Sequence, residues 1–228
     1  MEFTSVNKLY QEAFKKNWDR PAISNYHGET LHYKDVARRM EKLHIMFEEC
    51  GLEKGHKVAI CSRNQANWAV TFLAIMTYGA VPVPLLHEFK SANIHHLVNH
   101  SEAKILFVDD VIWEGLSESE MPDLQAIIQV NTFKILYAAD ERIVKAKNHL
   151  NELFGRKYPE AFEPQMLDYY EDSEDELAVI NYTSGTSGFS KGVMIPYRAI
   201  LSNLQFAKKV LPQLNDKSRV VSMLPCAH

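Results

Sequence analysis

A segment rich in hydroxyl residues, 182–193, has the residue types and spacing of an anion-binding loop. It reads Tyr-Thr-Ser-Gly-Thr-Ser-Gly-Phe-Ser-Lys-Gly-Val, with the lysine at position 191. Glycines let backbone N–H groups converge on an anion, hydroxyls add donors, and the lysine adds a positive charge. Such a loop suits a polyphosphate. Apolar runs at 177–182 and 192–196 predict that it connects two strands.

The commonest phosphate loop, the Walker A motif, does not fit this spacing. That motif has four residues between its first glycine and a Gly-Lys-Ser/Thr, and a helix follows it. Counted from Gly185, the second glycine would fall on Ser190 and the magnesium-binding hydroxyl on Gly192. Because a strand is also expected where the helix should begin, the sequence disfavours a P-loop NTPase.

Residues 182–193 closely resemble the phosphate loop of the adenylate-forming superfamily, which includes acyl-CoA synthetases, adenylation domains of peptide synthetases, and luciferases. The usual form is Tyr-Thr-Ser-Gly-Thr-Thr-Gly-x-Pro-Lys-Gly-Val, and this chain departs from it at Ser187 and Ser190. Ser187 keeps the hydroxyl, and losing a loop proline typically costs only about 0.4–1 kcal/mol. The resemblance implies that the β- and γ-phosphates of ATP are bound by Thr183, Ser184, Gly185, Thr186, Ser187, Gly188 and Lys191. The alternative is a Gly/Ser-rich turn between strands, which the run of consecutive matches disfavours.

Two further stretches support the resemblance. Residues 73–85 resemble the family's passage from a helix into a buried strand, and Gly79 can take the left-handed conformation that ends such a helix. Residues 222–228, Ser-Met-Leu-Pro-Cys-Ala-His, resemble a family segment that lies beside the acyl pocket. The resemblance assigns His228 to the catalytic site, as a wall or orienting group near the carboxylate; a lone histidine is otherwise an ordinary surface residue.

The resemblance also predicts how the chain is organised. We expect an α/β fold of layered, largely parallel sheets with flanking helices, forming the N-terminal part (1–228) of the large domain of an adenylate-forming enzyme. Residues 1–170 would form a first α/β subdomain, and 177–228 would begin a second sheet that carries the loop. The family's magnesium-placing acid, ribose-binding aspartate, hinge and small C-terminal domain lie beyond the segment resembling 222–228. We therefore expect no metal-ligating residue in this chain, a missing C-terminal portion, and no complete reaction by the chain alone.

The function that the resemblance implies is ATP-dependent carboxylate activation. AMP is transferred to the carboxylate, pyrophosphate leaves, and the thiol of coenzyme A then attacks the acyl adenylate. Mg²⁺ would neutralise phosphate charge together with the loop residues. The ending at 222–228 is more similar to that of fatty acyl-CoA synthetases, which favours a long-chain fatty acid. Two alternatives stay open: an aryl- or amino-acid-adenylating enzyme, and a non-catalytic nucleotide-binding module.

Composition agrees with a globular cytoplasmic protein, and the resemblance implies that its partners are small molecules. Of 228 residues, 46% are hydrophobic, which is ample for a core. The net charge of −4 gives no indication of a basic surface that would bind nucleic acid. We expect no secretory signal and no transmembrane segment, although peripheral membrane contact stays open. Three widely spaced cysteines argue against a disulfide framework and for a reducing compartment.

Helical and strand patterns alternate along the chain and predict βαβ units. A hairpin is expected from 22–26 and 30–33, helices at 34–50, 65–78, 91–100 and 140–157, and strands at 57–61, 80–84, 104–108, 126–130 and 219–224. The last strand would expose an unpaired edge.

Several charged or metal-ligating residue types have ordinary structural interpretations. The acidic run at 171–176 is predicted to be a solvated connector, with a magnesium role disfavoured because it has no fixed ligand spacing. His96 and His100 lie one helical turn apart, but no further ligand follows, so they are interpreted as surface or half-buried helix residues. Asp109 and Asp110 follow a strand, where both catalytic acids and turn residues occur.

Overall fold

The computed structural model describes residues 4–183 and 191–227. Its helices and strands, in chain order, are α1 (Val6–Lys16), β1 (Pro21–Ser24), β2 (Thr30–His32), α2 (Tyr33–Glu49), β3 (Lys57–Cys61), α3 (Ala66–Tyr78), β4 (Val81–Leu85), α4 (Ser91–His100), β5 (Ile105–Val108), α5 (Asp110–Trp113), β6 (Ala126–Gln129), β7 (Ile135–Ala138), α6 (Glu141–Asn148), α7 (Leu150–Lys157), β8 (Leu177–Thr183), β9 (Lys191–Pro196) and α8 (Tyr197–Val210).

A five-stranded sheet with the order β4-β3-β5-β6-β7 forms the centre of the fold. Strands β4, β3, β5 and β6 run parallel, and β7 pairs antiparallel with β6 at the edge. The connections within the parallel part contain helices, as parallel strands require. The predicted α/β class with a largely parallel sheet is therefore confirmed.

Both faces of this sheet are covered, which explains why its strands are almost wholly apolar. Successive residues of a strand point to opposite faces. Val58 and Ile60 of β3 accordingly pack in one hydrophobic core with α2 and α3. Ala59 and Cys61 pack in a second core, which includes α4. The predicted helical layers on the sheet are thus present on each side.

The passage from α3 into β4 follows the prediction. Gly79 ends α3 with φ of 90°, in the left-handed region where a side chain is strained. The Gly79 and Ala80 N–H groups donate to carbonyl groups of the last helical turn. A Cβ atom on Gly79 would lie 2.9 Å from Cγ of Tyr170, so the close approach of this aromatic ring also requires glycine.

The predicted strands on either side of the loop are also present. β8 and β9 pair antiparallel, from Leu177 with Pro196 to Thr183 with Lys191. α8 follows β9 and buries Tyr197 and Leu201 against the hairpin and α1. β8 lies beside β4, so the hairpin packs against the edge of the central sheet.

Some expected elements differ from those observed. The helix predicted at 140–157 is two helices, because His149 leaves helical geometry at the end of α6 and α7 then begins. The strand predicted at 219–224 is wrong: these residues form no strand, and Val220 and Leu224 are each 77% exposed. Among the described residues no strand pairs with this segment, so its backbone has no ladder to join.

The acidic run at 171–176 is more than a solvated connector. Asp172 within it is only 4% exposed. Its carboxylate accepts hydrogen bonds from the Ser5 hydroxyl (2.7 Å) and from the backbone N–H groups of Val6 (2.9 Å) and Asn7 (2.8 Å). These N–H groups belong to the first turn of α1, which has no intrahelical acceptor for them. The run therefore anchors α1, and its other acidic residues are exposed as predicted.

Candidate phosphate site

The hairpin of β8 and β9 brings together the two ends of the predicted phosphate loop. Thr183 and Lys191 are the last pair of the antiparallel ladder, and both are exposed. Directly opposite residues of such a ladder have Cα atoms about 4.5–5.5 Å apart. A hydroxyl and an ammonium group are therefore presented at one end of the hairpin. The other predicted loop residues (Ser184, Gly185, Thr186, Ser187 and Gly188) lie outside the described residues, as does His228.

Tyr182 lies directly beneath this end of the hairpin and points inward. It is 6% exposed, and its hydroxyl lies 2.7 Å from Nδ1 of His100 at the end of α4. The two rings meet edge to face with centroids 5.7 Å apart. Burial raises the pKa of Tyr182, partly offset by hydrogen bonding with Ser101. Tyr182 is therefore a neutral hydroxyl in a packed position, in contrast to exposed Thr183.

Gly192 lies across the hairpin from Tyr182 and makes room for its ring. The two residues are ladder partners, and a Cβ atom on Gly192 would lie 3.2 Å from Cε1 of Tyr182 and 3.2 Å from Cγ2 of Ile180. Real Cβ atoms rarely approach neighbours so closely. The glycine of the Lys-Gly-Val sequence thus has a packing role that is separate from any contact with an anion.

The segment predicted to lie beside the acyl pocket is held by Asn64, which follows β3. Asn64 Nδ2 donates to the carbonyl of Leu224 (2.6 Å), and its Oδ1 accepts from the backbone N–H of Cys226 (2.8 Å). Ala227 is buried. Asn64 is not among the residues predicted from the sequence; its position after a parallel strand, where functional loops are frequent, is the signal that could have indicated it.

The two aspartates after β5 have different surroundings. Asp109 accepts hydrogen bonds from the Ser62 hydroxyl (2.8 Å), the Arg63 N–H (2.8 Å) and Gln65 Nε2 (2.8 Å). Asp110 accepts from Gln129. Asp109 therefore ties together the turns that follow β3 and β5, which supports the structural interpretation of this residue.

Metal-ligating residue types do not cluster in the part of the chain that the structure describes. No group of three or more His, Cys, Asp or Glu side chains there could hold an ion. His96 and His100 are exposed, with ring centroids 5.8 Å apart, as expected of helix-surface residues. Cys50, Cys61 and Cys226 are unpaired, as the sequence predicts.

An ion pair between a buried carboxylate and a half-exposed lysine lies away from the hairpin, between α2 and α7. Oε1 of Glu41 is 2.9 Å from Lys157 Nζ, and Oε2 is 3.7 Å from Nδ1 of His44. Burial alone would raise the pKa of Glu41, but His44 and Lys157 together lower it to about 2. His44 Nε2 lies 2.9 Å from the Ala74 carbonyl, which can only accept, so Nε2 carries a proton. This cluster joins α2 to α3 and α7.

Helix length bears on the question of a membrane span. Within residues 4–183 and 191–227, no helix combines the length and hydrophobicity that crossing a bilayer requires.

The family to which the chain belongs follows from comparison with known sequences. A sequence profile described as "AMP-binding enzyme" matches residues 10–228. The chain belongs to this family. Among curated relatives, long chain acyl-CoA synthetase 1 of Arabidopsis thaliana is 28% identical over 86% of the chain. Long-chain-fatty-acid–CoA ligase 5 of Rattus norvegicus is 30% identical over 87%. The alignments span 30% of each of these relatives, so this AMP-binding chain corresponds to under a third of their length.

Solved structures agree on the fold of this AMP-binding chain. A long-chain-fatty-acid-CoA ligase (FadD1) from Archaeoglobus fulgidus superposes on 100% of the chain with a TM-score of 0.75 and 20% sequence identity. The superposition covers 43% of that protein. The layered α/β arrangement is therefore that of the N-terminal part of an adenylate-forming enzyme, as the sequence predicts.

Proposed function

We propose that this chain supplies the phosphate-binding part of an ATP-dependent acid–thiol ligase, which converts a carboxylate to an acyl adenylate and then to a thioester of coenzyme A. The observation that carries the proposal is the pairing of Thr183 with Lys191 at the open end of the β8–β9 hairpin. This pairing brings together the two ends of the loop 183–191, which lies within the signature segment 182–193 of a chain of the AMP-binding family.

The chemistry of these residues fits a polyphosphate. Lys191 and Thr183 are exposed at the end of the hairpin, where a charged donor and a hydroxyl can approach phosphate oxygens. We assign the β- and γ-phosphates of ATP to the seven predicted loop residues, Thr183, Ser184, Gly185, Thr186, Ser187, Gly188 and Lys191. Their role is to offset negative charge as pyrophosphate leaves. Bound Mg²⁺ supplies further charge neutralisation.

The proposed acyl substrate is a long-chain fatty acid, and the proposed acceptor is coenzyme A. The names of the curated relatives support this choice. Asn64 fixes the backbone at Leu224 and Cys226, and so holds the segment that leads to His228. In the proposal His228 orients the carboxylate or forms part of the pocket wall. We place the enzyme in the cytoplasm.

The remaining portion of the same enzyme is the proposed partner of several exposed apolar side chains. They are Val193 and Met194 on β9, Phe206 on α8, and the apolar residues of 220–224, all between 45% and 85% exposed. Exposed apolar tracts commonly mark interaction sites. The relatives' greater length supports this assignment, with 1–170 and 177–228 as the two subdomains that begin the large domain.

Carboxylate-dependent exchange of pyrophosphate into ATP tests the proposal, with enzyme from the complete reading frame and a panel of fatty, aryl and amino acids. Exchange driven by fatty acids, followed by thioester formation with coenzyme A, is expected. Exchange with aryl or amino acids alone would replace the substrate class. A folded protein that binds nucleotide but exchanges with no carboxylate would instead be a non-catalytic binding module.

The role of Lys191 is tested in the same assay. Because hydrogen bonds to charged groups contribute about 1.5–3 kcal/mol, Lys191→Ala should lower kcat/KM for ATP roughly tenfold to a hundredfold. Lys208→Ala, which removes an exposed lysine on α8, is the matched control and should leave it unchanged. Equal activity of the two variants would remove Lys191 from the site.

A further inference from the structure

Tyr182 is the residue through which the phosphate loop joins the folded core. It immediately precedes Thr183, and strand alternation turns its side chain inward while that of Thr183 is exposed. Its ring packs in the same hydrophobic core as α4 and the central sheet. Its ladder partner across the hairpin is Gly192, which immediately follows Lys191. The Tyr182 ring therefore lies beside Gly192, while its own backbone adjoins Thr183, so this residue is next to both ends of the loop.

His100 provides a fixed contact for the hydroxyl of this ring. It is the last residue of α4, a helix anchored by Ile94, Leu97 and Val98, each 1% exposed. The chain after α4 is also held: the Ala103 N–H donates to the Val98 carbonyl (3.2 Å), and β5 then begins. The 2.7 Å hydrogen bond between His100 Nδ1 and the Tyr182 hydroxyl thus connects the hairpin to the end of a well-packed helix.

We propose that His100 and Tyr182 are positioning residues, which set the phosphate loop for ATP by fixing the end of the β8–β9 hairpin against α4. The proposal rests on the proposed function. Neither side chain needs to contact ATP, since both act through the backbone at residues 183 and 191. Gly192 completes the arrangement, because a Cβ atom there would lie only 3.2 Å from the Tyr182 ring.

Removal of the hydrogen bond from either side is the direct test, in the full-length enzyme. Tyr182→Phe keeps the ring and loses only the hydroxyl, and His100→Ala removes the partner. Each should raise KM for ATP about 3- to 10-fold, as expected for one neutral hydrogen bond, without changing KM for the carboxylate. The double variant should have a KM for ATP no higher than that of either single variant, because both changes remove the same hydrogen bond. His100→Asn, whose amide can replace Nδ1, should restore much of the affinity.

Matched controls separate positioning from stability. The Tyr78 hydroxyl donates to the Leu52 carbonyl, also at 2.7 Å, in another part of the fold. Tyr78→Phe therefore loses a similar bond and should lower the melting temperature without changing KM for ATP. His96→Ala removes an exposed histidine from the same helix as His100 and should change neither quantity. A merely destabilised enzyme has a smaller active fraction, which lowers apparent kcat and leaves KM unchanged.

The outcomes distinguish this inference from the proposed function. An ATP KM within twofold of wild type for both Tyr182→Phe and His100→Ala would overturn the inference while exchange activity persists. Wild-type enzyme without exchange activity would refute the proposed function, and equilibrium ATP binding by the same variants would then decide the inference. A dissociation constant for ATP that is 3- to 10-fold higher in the variants would support the inference. Unchanged binding, or no ATP binding by the wild type, would overturn it.

Discussion

The strongest stability prediction concerns Asp172, whose carboxylate accepts all three of its hydrogen bonds from residues 5–7. Ser5 is 4% exposed and Asn7 is fully buried, so their donors have little access to solvent. Asp172→Ala would leave one hydroxyl and two N–H groups without an acceptor. Each unsatisfied buried group costs about 1–3 kcal/mol, but water entering the vacated space can satisfy part of this set. The expected loss in free energy of unfolding is therefore about 3–5 kcal/mol.

Such a loss is a large fraction of the free energy of unfolding of most proteins, which is roughly 5–15 kcal/mol. For a chain of this size it corresponds to a fall in melting temperature of about 6–20 °C. Asp172→Asn should cost less, about 1–3 kcal/mol, because its remaining carbonyl oxygen can still accept. Urea unfolding followed by tryptophan fluorescence gives these free energies directly.

The acidic run itself supplies the control. Glu174 is exposed, and within the described residues its contribution is one backbone hydrogen bond, from its carbonyl to the Arg198 N–H. Glu174→Ala should change the free energy of unfolding by less than about 0.5 kcal/mol. Were Asp172→Ala no more destabilising than Glu174→Ala, at an unchanged m-value, the carboxylate would not be anchoring α1 and the reasoning would be refuted.

Three further predictions concern an ion pair, two glycines and the cysteines. The pKa of Glu41 is lowered to about 2 in the folded protein, so its ionised carboxylate stabilises the fold at pH values above the unfolded-state pKa. The free energy of unfolding should therefore fall as the pH drops from about 5 towards 2, and it should fall less in Glu41→Gln. Urea unfolding at a series of pH values measures this difference. Gly79→Ala should cost about 1–3 kcal/mol because of its positive φ and the adjacent tyrosine ring, whereas Gly155→Ala, in α7 with nothing within 4 Å, should stabilise by about 0.5–1 kcal/mol. Thiol titration should label half-buried Cys226 in the native protein and all three cysteines only in denaturant, because burial raises the pKa of Cys61 to about 12 and also raises that of Cys50.

The elements most accurately predicted are those whose signal is local. Strand β3 is found at 57–61 as predicted, because its apolar run reflects burial on both faces. The end of α3 at Gly79 follows from the backbone freedom of one residue type. The helix at 197–210 was not identified, although apolar residues at 197, 200, 201 and 204 have helical spacing. β7 gave no such signal, since it is a short, half-buried edge strand.

Asp172 could not be distinguished from its acidic neighbours by sequence alone. A run of acidic residues is usually solvated, and that interpretation holds for the other acids of this run. The groups that donate hydrogen bonds to Asp172 lie 165–167 residues away in the chain. Only the packing of α1 against residues 168–172 brings them together, and no local pattern encodes that contact.

The candidate site divides in the same way. The placement of Thr183 and Lys191 at the ends of two paired strands could be predicted from the apolar runs on either side of the loop, while their binding of phosphate stays a prediction. His100 could not be predicted, since it is 82 residues from Tyr182 and was interpreted only as a helix-surface residue. Yet strand alternation already requires that one of Tyr182 and Thr183 point inward. A buried tyrosine hydroxyl usually finds a hydrogen-bond partner, and the tertiary fold determined that His100 provides it here.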